Sequence, residues 1–199
     1  MFKKMFFVVF VVIALLFLVI IGFSQNVQKL IADNSFTKKV FVVDSAALFD
    51  FIEDKENELK IEAYFKKKNM PLFEKAAKFV EVSKKYNLDP FLLPAMSIKE
   101  STGGKSLFKP FNPFGYGKKR FLSFDEAIEY VADKLANGEY YKDKTLEKKL
   151  STYNCVEDKY VSETLKFMRY IKKQNIEKID TANYVDSFKV EIIQKIEIL

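Results

Sequence analysis

The uncharged run Phe91-Leu92-Leu93-Pro94-Ala95-Met96-Ser97-Ile98, closed by Lys99-Glu100, constrains the fold more than any other segment. Asp89 and Pro90 stand before it as an N-cap and a first helical residue, so the run reads as a helix from Pro90 to about Glu100. A helix that is apolar nearly all round has to be covered on every side. The chain must therefore build other helices around it, and the position is central. Its carboxylate is followed at once by Ser101-Thr102-Gly103-Gly104-Lys105 and then by Asn112-Pro113-Phe114-Gly115-Tyr116-Gly117. That order delivers one acid beneath a glycine-rich, aromatic loop. An acid desolvated on one side stays protonated near neutral pH and can donate its proton to a leaving-group oxygen. The competing reading is a surface Glu that ends a helix before a turn.

Composition narrows the chemistry. The 199 residues include no histidine, which removes Ser-His-Asp triads, Cys-His dyads and the usual His-containing zinc sites. Cys155 is the only cysteine. It can form no intrachain disulfide and no metal cluster. Between Asn154 and Val156 it reads as a small, semi-buried residue, and without a histidine base it is discounted as a nucleophile. Any reaction must use carboxylates, hydroxyls, Tyr or Lys, and no metal or cofactor is expected. The net charge of +6 comes from dispersed lysines with short clusters at Lys66-Lys67-Lys68 and Lys118-Lys119-Arg120. These read as solvated faces. Nothing resembles a nucleic-acid module, and no nucleic-acid partner is expected.

Lys3 and Lys4 precede an uncharged apolar run from Met5 to Phe23. As a helix it spans roughly 28 Å, close to the thickness of a bilayer core. The lysines place the N-terminus in the cytoplasm and everything after Ser24 outside. The run exceeds the roughly 7–15 residues of a signal-peptide core, which favours a single-pass membrane anchor over residues 1–24. Gly22-Phe23-Ser24 keeps a cleaved signal peptide, and a secreted protein, as the alternative.

Residues 25–43 read as a tether, with an extended piece from Phe36 to Val43. Asp44-Ser45 caps a long charged helical stretch to about Lys67. Its apolar positions Leu48, Phe51, Ile52, Leu59 and Phe65 recur loosely, which predicts peripheral packing. Asn69-Met70-Pro71 resets the chain, with Pro71 at a first helical position. Leu72, Phe73, Ala76, Ala77 and Val80 then form one stripe at helical spacing. Residues 101–122 read as a loop, with a short hairpin around Phe114 to Phe121. Ser123-Phe124-Asp125-Glu126 is a capping box, and Ile128, Val131 and Leu135 give the following helix its stripe. A shorter helix (about 144–152) and a longer one (about 158–176) follow, the longer packed through Val161, Leu165, Met168 and Ile171. The fold class expected is mainly α. The divisions are an anchor (1–24), a tether and peripheral helix (25–59), a helical domain (60–175) and a C-terminal tail (176–199) whose role the sequence does not reveal.

The order of these features resembles the lysozyme-like domains of bacterial glucosaminidases and lytic transglycosylases, which cut peptidoglycan. The resemblance spans about residues 60–173. It rests on Tyr64-Phe65, Asn69-Met70-Pro71-Leu72, Leu92-Leu93-Pro94-Ala95, Lys99-Glu100-Ser101-Thr102-Gly103-Gly104, Asn112-Pro113-Phe114-Gly115, Thr152-Tyr153-Asn154 and Tyr160. It implies a lysozyme-like helical domain with a short β-hairpin or loop over a cleft. Glu100 matches the family's catalytic acid. Asn112-Pro113-Phe114-Gly115 matches the Asn-x-Phe-Gly segment that lines the groove opposite the acid in glucosaminidase-like members. Lytic transglycosylases more often carry a Gly-Leu-Met-Gln type of sequence there, so the chain leans toward the glucosaminidase side. Tyr153 matches a tyrosine near the acid in both groups, and Ser101 and Tyr116 complete the candidate substrate-binding set.

Glycosidic cleavage needs a proton donor and some means of stabilising an oxocarbenium-like transition state. Residues 101–124 contain no Asp or Glu, so the loop that should carry a second carboxylate lacks one. Asp125 and Glu126 open a helix and read as cap and dipole partners. Two mechanisms remain: attack by the substrate's own 2-acetamido group, with Tyr116 or Tyr153 supporting the developing charge, or attack by its 6-hydroxyl, with Glu100 first acid and then base. The expectation is a monomeric, membrane-tethered glycosidase acting on N-acetylhexosamine linkages of peptidoglycan strands. The alternative is a non-catalytic wall-binding or scaffolding domain. Plainer roles stay open for several residues. Tyr153 can be a packed ring at a helix junction. Phe108, Phe111, Phe114 and Tyr116 can be sugar platforms or a satellite core. Gly103, Gly104, Gly115 and Gly117 serve backbone bends, and Lys105, Lys118, Lys119 and Arg120 attract an anionic glycan or solubilise the loop.

Overall fold

A computed structural model describes residues 45–176. The expected anchor, the tether and the tail beyond Ile176 lie outside the described residues. Among the described residues six α-helices follow one another: α1 (Ser45–Lys67), α2 (Ala76–Lys85), α3 (Leu92–Ser101), α4 (Phe124–Asn137), α5 (Leu146–Tyr153) and α6 (Tyr160–Lys172), with a 3-10 helix (Pro71–Lys75) between the first two. The described residues are mainly helical and contain no strand, so the loop after α3 crosses without the hairpin expected around Phe114 to Phe121.

α1 runs without interruption through residues 59–60, where the sequence division between peripheral helix and domain falls. Phe51 and Ile52 stay half-exposed as expected, but Ile61, Tyr64 and Phe65 are buried. The C-terminal half of this helix is core, which corrects the peripheral assignment of Phe65. α1 and α2 are each followed by an asparagine in the left-handed region, Asn69 (φ 52°) and Asn87 (φ 51°). Asparagine tolerates that conformation better than most residues, and each helix stops there. Pro71 opens the 3-10 helix as its fixed φ allows. Leu72, Ala76 and Val80 are buried on the predicted stripe, whereas Ala77 is exposed and Phe79 takes the inner place.

α3 starts two residues later than the sequence suggested. The Asp89 carboxylate accepts from the Phe91 N–H at 2.8 Å, a turn that spends the cap before the helix begins. From Leu92 to Ile98 every residue is buried, and α3 is packed between α6 and α2, while α1 covers α2 and α6 and α4 covers α2. The central position is therefore real. Truncating Leu93 or Met96, neither with any exposed surface, to alanine would cost about 2–5 kcal/mol. α4 is capped as predicted by Ser123, which accepts from the Glu126 N–H at 3.1 Å. The return bond goes one residue further back: Glu126 accepts from the Leu122 N–H at 2.6 Å. Ile128, Val131 and Leu135 are buried. In α6 the innermost line is Tyr160, Thr164, Met168 and Ile171, with Val161 and Leu165 at its edge.

Candidate functional site

Glu100 occupies the last turn of α3, where the helix is stopped by Thr102 in the left-handed region (φ 55°). The Thr102 N–H returns to the Ile98 carbonyl at 2.9 Å and the Gly103 N–H to the Ser97 carbonyl at 3.0 Å, so the helix end is tied rather than frayed. A β-carbon on Gly103 would lie 2.7 Å from the Met70 sulfur, which presses the turn against the segment before the 3-10 helix. Gly103 serves close packing as well as the bend.

Ser101 and Asn112 hold the loop. The Ser101 hydroxyl, buried, lies 2.8 Å from the Pro113 carbonyl and 3.0 Å from the Ser97 carbonyl, and accepts from the Gly104 N–H at 3.1 Å. Asn112, also buried, accepts from the Tyr116 N–H at 3.0 Å and donates to the Lys119 carbonyl at 3.2 Å. These polar groups are consumed by the backbone. They position the loop. Phe114 has no exposed surface, so it belongs to the core and is no sugar platform. Phe111 rests edge-on against Phe124 with centroids 5.3 Å apart. Phe108 is 94% exposed and rests on nothing.

What the scaffold achieves is contact between loop and acid. Gly115 (φ 61°) lies so close to Glu100 that any side chain there would strike its carboxylate. Glu100 is half-buried. Loss of water pushes its pKa above the ordinary carboxylate value, the charge of Glu157 adds to the rise, and Tyr160 and Lys99 oppose it. No lysine or arginine among the described residues pairs with it. Its neighbour Lys99 is held instead by Glu157 at 2.5 Å and Glu163 at 2.6 Å, so that cation is already neutralised. Such a group can remain protonated and give up its proton to an adjacent oxygen.

Tyrosines complete the surroundings. The Tyr153 hydroxyl donates to the Phe114 carbonyl at 2.7 Å, bolting the end of α5 to the loop one residue before Gly115. Burial, with Glu100 nearby, pushes its pKa well above the ordinary value, so its hydroxyl keeps the proton it donates. Its ring stacks on Tyr160 (6.1 Å, 16°) and touches Tyr116 (6.0 Å). Tyr116 packs edge-on against Tyr130 at 5.3 Å. The sequence marks Tyr160 only as one of the residues that carry the resemblance. It is wholly buried, and burial beside Glu100 raises its pKa strongly. No acceptor lies at ordinary hydrogen-bond distance from its hydroxyl, yet the Glu100 carboxylate is near enough for each to affect the other. The signal was present: Tyr160, Thr164, Met168 and Ile171 share one helical face, and that face is the buried one.

Elsewhere, an open depression is lined by Asp50, Glu53, Asp54, Asn57 and Lys84. Lys84 closes it with an ion pair to Asp54 at 2.6 Å. Among the described residues no three acids or cysteines gather as a metal would require. Cys155 is exposed, not semi-buried, because the turn after Tyr153 carries it away from the core. No protein family, curated protein or solved structure matches this chain.

Proposed function

We propose that this domain is a lysozyme-like glycosidase that cleaves N-acetylhexosamine linkages in peptidoglycan, with Glu100 as general acid. The observation that carries the reading is the seat of that carboxyl: half-buried, in no ion pair among the described residues, and packed against Gly115, where a side chain would crowd it. A protonated Glu100 donates to the leaving oxygen as the bond to the anomeric carbon breaks. Residues 101–124 supply no second carboxylate and Glu157, the acid whose charge acts on Glu100, is paired with Lys99, so the reading gives the nucleophile's part to the substrate's 2-acetamido or 6-hydroxyl group. In the second route Glu100, now ionised, takes the hydroxyl's proton. The run from Met5 to Phe23 would anchor the domain outside the cytoplasmic membrane, where its substrate lies.

The test is clearing of purified sacculi by the wild type and by Glu100→Gln. The variant should be folded and inactive, and unchanged clearing would overturn the assignment. Mass spectrometry of the released fragments separates the two routes, since an anhydro end and a reducing end differ by one water. A second reading, a wall-binding domain without activity, draws on the acid-free loop and on the engagement of Glu157 by Lys99. Binding of sacculi by the wild type without clearing would favour it.

A further inference from the structure

The loop over Glu100 carries a surface that cleavage does not use. It bears five cations, Lys105, Lys109, Lys118, Lys119 and Arg120, and no acid between 101 and 124. Several lysines on the helices, Lys66, Lys78, Lys84 and Lys99, pair with carboxylates. None of the loop cations does so among the described residues. Lys105 and Lys109 reach only the carbonyls of Lys68 (2.7 Å) and Gly117 (3.3 Å), and Lys119 stands 4.6 Å from the Tyr130 ring centroid. Their charge is left uncompensated.

Among these cations stand two large apolar side chains in water, Phe108 at 94% and Leu122 at 89% exposure. The Lys109–Gly117 and Asn112–Lys119 bonds tie the two limbs of the loop together, so both limbs present their residues from one braced element. Exposed apolar groups interspersed with unpaired cations fit an interface that is greasy and anionic at once. An anionic wall polymer would satisfy the cations and leave Leu122 without a partner. We propose that the loop from Lys105 to Leu122 docks on an anionic lipid surface, with Phe108 and Leu122 entering the acyl boundary and Lys118, Lys119 and Arg120 meeting headgroup phosphates.

The chain contains no tryptophan, so F108W introduces a single reporter. The full chain is reconstituted into vesicles of phosphatidylcholine alone, or of phosphatidylcholine with phosphatidylglycerol. Residues 5–23 can hold it on either membrane, but the emission reports the loop alone. The expected result is a blue shift and quenching by brominated acyl chains only with phosphatidylglycerol, reversed by high salt. K118Q/K119Q/R120Q in the same background should lower the loop's bound-to-free ratio about a hundredfold, roughly fivefold per charge. Emission that is identical on the two membranes would overturn the proposal. A shift produced by purified sacculi and not by anionic vesicles would overturn it in favour of a wall polymer. Neither readout requires turnover, so each is independent of the role given to Glu100.

Discussion

A β-carbon on Gly115 would stand 2.8 Å from Oε2 of Glu100 and 3.5 Å from its Cδ. The loop backbone therefore packs directly on the carboxylate, and a side chain there would have to push the carboxylate aside. Ser101, Asn112 and Tyr153 all serve this contact, because each of them bonds the backbone of the segment that carries Gly115.

Gly115→Ala and Gly117→Ala separate crowding from strain. Both glycines have positive φ, 61° and 50°, so alanine at either costs about 1–2 kcal/mol in backbone strain. A β-carbon on Gly117 meets nothing within 4 Å, unlike one on Gly115. Thermal melts should show comparable destabilisation of the two variants. Clearing of sacculi should fall at least about tenfold, an increment of 1.4 kcal/mol, for Gly115→Ala, and stay near wild type for Gly117→Ala. Equal losses of activity would mean that the contact with Glu100 does not matter.

Tyr153→Phe removes the donor to the Phe114 carbonyl and keeps the ring. A lost neutral hydrogen bond of this kind costs about 1 kcal/mol, more where the acceptor stays buried. Because that carbonyl precedes Gly115, the loop above Glu100 should loosen. We expect a lower melting temperature and a drop in kcat that exceeds any change in KM. A variant with wild-type kcat would reduce Tyr153 to packing.

Glu100 should give activity an alkaline limb above the ordinary carboxylate range, since the protonated form is the donor and its pKa is raised. Stability follows the same group with a definite sign. A carboxyl whose pKa rises on folding favours the folded state fully below its unfolded pKa, and that contribution is lost as pH rises through the folded value. Glu100→Gln cannot titrate. Urea melts in acid and at neutral pH should therefore show the variant gaining on the wild type as pH rises. A constant difference between them would mean that Glu100 is solvated in the folded protein.

Helices and core were readable because they depend on periodicity and on short-range caps. The all-apolar stretch before Glu100 required burial on every side and received it. Errors entered where a tertiary neighbour decides. Asp89 turned its carboxylate to Phe91 and delayed the helix, and Phe79 took the inner place at the expense of Ala77. The loop was the least readable part. Asn112 and Phe114 looked like groups that meet a ligand, yet the first is spent on backbone bonds and the second has no exposed surface. Nothing within a loop's own sequence states which way its side chains turn, since that depends on the distant Tyr130 and Tyr153 rings that meet its Tyr116.

Tyr160→Phe gives the sharpest test of the site, because structural and electrostatic roles predict opposite results. The residue has no exposed surface, and its hydroxyl neighbours the Glu100 carboxylate at more than an ordinary hydrogen-bond distance. Removing a hydroxyl whose contact with Glu100 is longer than an ordinary hydrogen bond should change stability little. The phenylalanine ring preserves the stack on Tyr153. At Glu100 the hydroxyl favours the ionised form and so restrains the rise in pKa. Its loss should push the Glu100 pKa higher still, and the alkaline limb of activity should move to higher pH. If the hydroxyl instead braces the fold, the variant melts earlier and its pH profile keeps its wild-type position. A limb displaced toward acid would contradict both roles and would mean that Tyr160 does not act on Glu100 as a donor.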